Sequence, residues 1–244
     1  MRQTQVSIPS RTAPWTGWVR RRGPSLAVVV IVMTLAAMAQ GSISYTFAFG
    51  ALRGPLGLDF GRLPQWGYIA RWCILAAMVA LWALGKKQHL FAMVIVVNSF
   101  STLILLLHTA FLTSVLAGLS GTTVRAILAD VVMMGTANIL VFSVWYWVID
   151  PPGVDEDEDR TGQPWAFLFP QRGGDLPHYD DWQPRYTDYL FVAFTTSFAF
   201  SPTDAAPLTR LAKMLMLLQA AISVITLTGV AGSAINILAG GAGK

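Results

Sequence analysis

Apolar residues run along this chain in long unbroken blocks, with little one-sided alternation. Five blocks fall at residues 25–49, 67–84, 90–117, 126–148 and 207–238. A helix that crosses a bilayer needs about 20 mainly apolar residues, so each block predicts a spanning helix. Breakers separate them. Gly23-Pro24 precedes the first block, and Gly85-Lys86-Lys87 follows the second. Residues 50–66, with Gly54-Pro55, Gly57, Gly61 and Pro64, read as a connecting loop. Residues 149–187 form a long polar loop containing Pro151-Pro152-Gly153.

A sixth apolar stretch, residues 189–200, is too short to span and stops at Ser201-Pro202-Thr203-Asp204. Thr187 or Asp188 can cap its start. The pattern predicts a half-helix that enters the membrane and turns back. Irregular backbone at such depth is tolerated only inside protein or beside a wet cavity. The last helix is expected to start near Pro207, with Asp204 accepting from its first amides. The predicted fold class is therefore an all-α, polytopic helical membrane bundle of about five transmembrane helices plus one re-entrant half-helix. Its parts are a basic tail (1–24), a four-helix membrane region (25–148), an acidic polar loop (149–187) and a pore-loop-like C-terminal part (188–244).

Composition supports the bilayer as solvent. Of 244 residues, 54% are hydrophobic and 12% charged, against about 25% charged in a soluble domain. The net charge is +4, but the Arg residues flank apolar blocks, so a membrane accounts for them better than nucleic acid does. A secretory signal is the rival reading of the first block, with Ala37-Met38-Ala39 as a cleavage site. The apolar run continues past that site to Phe49, which a cleaved signal does not need. The single cysteine, Cys73, reads as a small packing residue and excludes an intrachain disulfide. The run Asp155-Glu156-Asp157-Glu158-Asp159 reads as a solvated stretch, because a metal cage needs ligands alternating with a turn residue. No metal, cofactor or enzyme motif is present.

Loop Lys and Arg favour the cytoplasm. The five N-terminal Arg residues and Lys86-Lys87 then lie inside, while Arg53, Arg62 and Arg125 lie outside. The polar loop and the half-helix fall on the cytoplasmic side. Ionisable groups inside spans are functional candidates. Arg71 and Asp130 sit at matching depths in the second and fourth blocks, which predicts an ion pair. Asn98, His108 and Asn138 are intramembrane polar candidates, for interhelical hydrogen bonds or for a relay. Trp145-Tyr146-Trp147 before Asp150 reads as a headgroup-layer belt.

The residues Asp188-Tyr189-Leu190-Phe191, Phe194-Thr195-Thr196, Phe200-Ser201-Pro202-Thr203-Asp204, Pro207-Leu208-Thr209 and Lys213 resemble an uncharacterised family of bacterial multi-pass membrane proteins. Trp145-Tyr146-Trp147 and Phe167-Leu168-Phe169-Pro170-Gln171 fit the same pattern. The resemblance implies a bacterial inner-membrane location, and the charge pattern adds a cytoplasmic N-terminus. A more distant likeness is to potassium-channel pore domains, which run outer helix, half-helix, Thr-rich filter, Asp, inner helix. It implies a pore loop at Thr195, Thr196, Ser201, Pro202, Thr203 and Asp204, with Gln219, Gly229 and Gly232 along an inner helix. It also implies monovalent cations as cargo and a homo-oligomer, a tetramer if channel-like. Two departures stand out. No glycine lies between Thr196 and Asp204, although a carbonyl-lined filter uses conformations that glycine adopts readily. A filter also faces outward, whereas this segment falls inside. The two function classes are thus a channel-like or transport protein lacking the Gly-Tyr-Gly filter, and a non-conducting structural or sensor membrane protein.

Overall fold

The computed structural model describes residues 23–43, 63–84, 86–117, 124–150, 165–172, 179, 182–199 and 205–241. Helix dominates them: α1 (Gly23–Ser42), α2 (Leu63–Ala83), α3 (Lys87–Ala117), α4 (Val124–Ile149), α5 (Tyr186–Ala199) and α6 (Arg210–Gly241). Between α4 and α5 lie strand β1 (Phe167–Leu168) and a 3-10 turn (Pro170–Arg172). Strand β2 (Ala206–Pro207) follows α5. Three helices contain a segment long and apolar enough to cross a membrane: His89–Ala110 in α3, Ala129–Ile149 in α4 and Arg210–Gly229 in α6. The shorter apolar stretches Ala27–Ser42 and Trp72–Ala83 lie in α1 and α2.

Local chemistry sets the ends. Pro24 sits in the first turn of α1, where its missing N–H costs nothing. Pro151-Pro152 follow α4 and bar its continuation. At the start of α5 the Asp188 carboxylate reaches back to accept from the Arg185 amide at 2.6 Å, while the Asp188 amide donates to Arg185 O. This reciprocal pairing satisfies donors that a helix start leaves open. The last helix starts at Arg210, not near Pro207. Thr209 caps it, its Oγ1 accepting from the Ala212 amide at 3.2 Å. Pro207 instead lies in β2, paired with Phe167.

α4 is the central helix and packs against α1, α3, α5 and α6. Its neighbours α3 and α6 run antiparallel to it. Phe91 at the start of α3 packs on Trp147 at the end of α4, and Leu112 and Val131 meet beside Gly229 at the other end. Between them Asn98 donates to Val141 O and Trp145 to Thr102 Oγ1. Asn138 on α4 meets Gln219 and Ser223 on α6. α1 runs parallel to α3, with Gln40 Nε2 donating to Ser101 O. The closest approach recorded at a glycine is at Gly229 on α6. A Cβ there would lie 3.2 Å from Leu112 and 3.3 Å from Val131, so three helices converge where the side chain is absent. The outer faces carry exposed Ile31, Val79, Phe100, Leu107 and Leu217, as lipid-facing surfaces do.

α5 has 14 residues, about 21 Å at 1.5 Å per residue, against a hydrocarbon core of about 30 Å. Its start and strand β2, which follows it, lie at one end of the bundle. Tyr189 bonds to Asp150 at the end of α4, and β2, beyond α5, pairs with β1 beside the same Asp150. A short helix is therefore present where the half-helix is expected, and the described chain before and after it lies at one end of the bundle.

Candidate functional site

The polar groups of the C-terminal half converge where α4, α5 and α6 meet. At the bundle end lies Asp150, a fully buried carboxylate. Its Oδ1 accepts from the amides of Ala166 at 2.8 Å and Phe167 at 3.3 Å. Its Oδ2 accepts from Arg172 Nη1 at 2.9 Å and from the Tyr189 hydroxyl at 2.6 Å. Arg172 also donates to Phe167 O, and its guanidinium lies 4.9 Å from the Trp165 ring centre. One carboxylate thus ties together the end of α4, the β1 segment and α5. A buried ion pair is stable only with such saturation, because each ion has lost its water.

An aromatic layer closes over this clasp. Phe167 packs edge-on to Tyr146 at 5.1 Å, and Phe169 packs edge-on to Tyr189 at 5.7 Å and tilted on Trp182 at 5.6 Å. The Trp145-Tyr146-Trp147 trio is not the headgroup belt expected from sequence. Tyr146 and Trp147 are buried, Trp147 against Phe91, and Trp145 is half-buried. Part of the polar loop is likewise folded rather than solvated. Leu208 donates to Ala166 O, sealing β1 against the start of α6. Burial pushes the Tyr186 phenol above its ordinary range. That hydroxyl meets Ser143, whose own proton goes to Leu140 O, so Tyr186 is the donor.

One layer deeper, Gln219 on α6 is fully buried. Its Nε2 donates to Ala193 O at 2.7 Å and to Ser197 Oγ at 2.8 Å, both on α5. Its Oε1 accepts from the Tyr146 hydroxyl of α4. Asn138 donates to Gln219 O at 3.2 Å and to Ser223 Oγ at 2.9 Å. The three helices are therefore stitched by side chains through their middle.

The sequence candidates fare unevenly. Thr195 and Thr196 lie within α5 rather than after it. Thr196 donates to Val192 O, and Thr195 to Phe191 O and Val192 O. Both residues are helical, and their hydroxyls are spent within their own helix. Ser201, Pro202, Thr203 and Asp204 lie outside the described residues, as does the acidic run 155–159. Gln219, expected along an inner helix, faces α5 in the packed core. Arg71 belongs to α2, which packs on α1 and α3, and its side chain lies outside the described residues. Asp130 is buried on α4 and acts electrostatically on His108 across the α3 interface. Asn98 donates to Val141 O, and Asn138 to Gln219 O and Ser223 Oγ, each across a helix interface. Cys73 is exposed on α2, not a packing residue of the core. Among the described residues no cluster of His, Cys, Asp or Glu could hold a metal.

Sequence reasoning missed the Asp150–Arg172–Tyr189 clasp and Gln219's role. The available signals were a lone Asp directly after an apolar helix and a lone Gln in the middle of another. No family model, curated protein or solved structure matches this chain, so the reading of the site rests on its geometry.

Proposed function

We propose that the chain is a non-conducting multi-pass membrane protein whose C-terminal half is a locked structural module presenting a folded cap at the cytoplasmic face. The observation that carries this reading is the sealing of α5. Its inner face is bonded to α4 and α6 through Tyr186, Tyr189, Ala193 and Ser197, and the Thr195 and Thr196 hydroxyls are consumed by its own backbone. α1 and α2 complete five spans, with α5 as the re-entrant element. Orientation follows from charge: among the described side chains the exposed Lys86, Arg185, Arg210 and Lys213 all lie at the end that bears the clasp. Positive loops favour the cytoplasm, which supports a cap and an N-terminus on the cytoplasmic face of what the resemblance makes a bacterial inner membrane.

A channel-like reading draws support from the polar seam formed by Asn138, Ser197, Gln219 and Ser223, which runs through a spanning core. The two readings separate in vesicles. Purified protein reconstituted into proteoliposomes is expected to pass neither potassium nor sodium above protein-free controls, under voltage or pH gradients. Flux that disappears on Gln219→Leu in protein that still folds would establish the channel-like reading and end the non-conducting one.

A further inference from the structure

Asn138 sits in the middle of the Ala129–Ile149 span and is fully buried. Gln219 O fixes which way its amide faces. A backbone carbonyl can only accept, so Nδ2 must point at it, and Oδ1 points elsewhere. Oδ1 is buried with no partner. The donors of Gln219, Tyr146, Thr196 and Thr226 are committed. Both Gln219 Nε2 protons go to α5, Tyr146 donates to Gln219, and Thr196 and Thr226 donate to their own helices. Ser223 Oγ accepts from Asn138 at 2.9 Å and keeps its own proton to give. The groups on offer are thus one acceptor without a donor and one hydroxyl proton without an acceptor. One turn away, Gly135 leaves room. A Cβ there would have a single neighbour within 4 Å, Thr226 at 3.8 Å.

We propose that one ordered water molecule binds between α4 and α6 at this level, donating to Asn138 Oδ1 and accepting from the Ser223 hydroxyl. Water fits because it is the smallest molecule that both donates and accepts, and buried waters bridge groups of this kind. A monovalent cation fits worse. It would need several oxygens, and the polar groups at this level include no carboxylate and one amide oxygen left open, Gln219 Oε1 being taken by Tyr146. The bound water turns a polar seam into a closed hydrogen-bond circuit that holds α6 on α4.

A cryo-electron-microscopy map of the full chain in nanodiscs, at a resolution where ordered water is visible, tests this. The expected result is one solvent peak about 2.7–3.2 Å from Asn138 Oδ1, absent in Ser223→Ala. No peak within hydrogen-bond reach of Oδ1 overturns the proposal, as does an unchanged peak in Ser223→Ala. Thermal unfolding in matched sodium, potassium, lithium and choline chlorides adds an independent arm. Water predicts the same midpoint in all four salts, whereas a midpoint that rises with one alkali cation alone assigns the site to that cation and refutes water.

Discussion

Replacing Arg172 with Met removes the countercharge of a buried carboxylate while keeping most of the side-chain volume. Both partners are almost wholly buried, with side chains 3% and 0% exposed. Removing one member of such a pair costs about 3–5 kcal/mol, because the other charge stays buried and uncompensated. The two backbone amides and Tyr189 remain on Asp150, which places the expected loss at the lower end, about 3 kcal/mol. Tyr189→Phe deletes a single hydrogen bond to the same carboxylate, with an expected loss of about 1.5–3 kcal/mol. The lone Cys73 makes a clean assay possible. In a Cys73→Ala background, Ala166→Cys places a thiol in a buried position beside Asp150. It reacts with maleimide only when the cap opens locally. With reclosing faster than labelling, the rate follows the opening equilibrium. At 1.4 kcal/mol per tenfold, Arg172→Met should label about 100-fold faster than its parent, and Tyr189→Phe about tenfold faster or more. Arg172→Met labelling within threefold of the parent would show that the ion pair does not hold the cap, and the clasp argument would fail.

Gln219→Leu should destabilise the bundle in detergent by about 1–3 kcal/mol, since it removes the acceptor of the buried Tyr146 hydroxyl, while Ala193 O keeps its helical amide. Thermal unfolding monitored by size-exclusion chromatography reads this out, and an unchanged midpoint would contradict the stitching role. Gly229→Ala should cost little, because the side-chain tips of Leu112 and Val131 can yield a few tenths of an ångström and helix propensity improves. Gly229→Val should cost about 1–3 kcal/mol by overpacking the α3–α4–α6 crossing, and equal midpoints for the two variants would argue against close approach there. Phe194→Ala should leave stability nearly unchanged, as its ring is half exposed and packs mainly on Phe198.

The helical blocks were legible because a bilayer imposes a length and a composition that few other environments demand. Breakers such as Pro151-Pro152 announced where α4 ends, and the short aromatic stretch ending before Pro202 announced a helix that stops early. Asn98 and Asn138 were legible as interhelical donors, since a carboxamide in a span needs a partner. The clasp was not legible. Asp150 and Arg172 are separated by 21 other residues, and their pairing depends on a hairpin-like return of the polar loop that two-residue strands do not advertise. Trp145-Tyr146-Trp147 misled for a related reason. The trio is a belt only if the chain beyond it stays in water, and here the β1 segment folds back over Tyr146. The start of α6 was placed too early because Pro207 suits a first helical turn and an edge strand equally well, and the β1 pairing decides between them.

That the described chain before and after α5 lies at one end of the bundle has a consequence for biogenesis. To the machinery that inserts the chain, everything between the end of α4 and the start of α6 is silent in parity: it adds no crossing, so α6 is threaded in the orientation that α4 alone dictates. A helical hairpin of α4 and α6 can therefore be established first, with the half-helix slotting into their cleft once both walls stand. The amide protons of Gln219 reach their acceptors on Ala193 and Ser197 only once α5 is in place. Shortening the excursion would leave the topology of the protein intact while removing its keystone, so orientation and completion are encoded by separate stretches of the same chain.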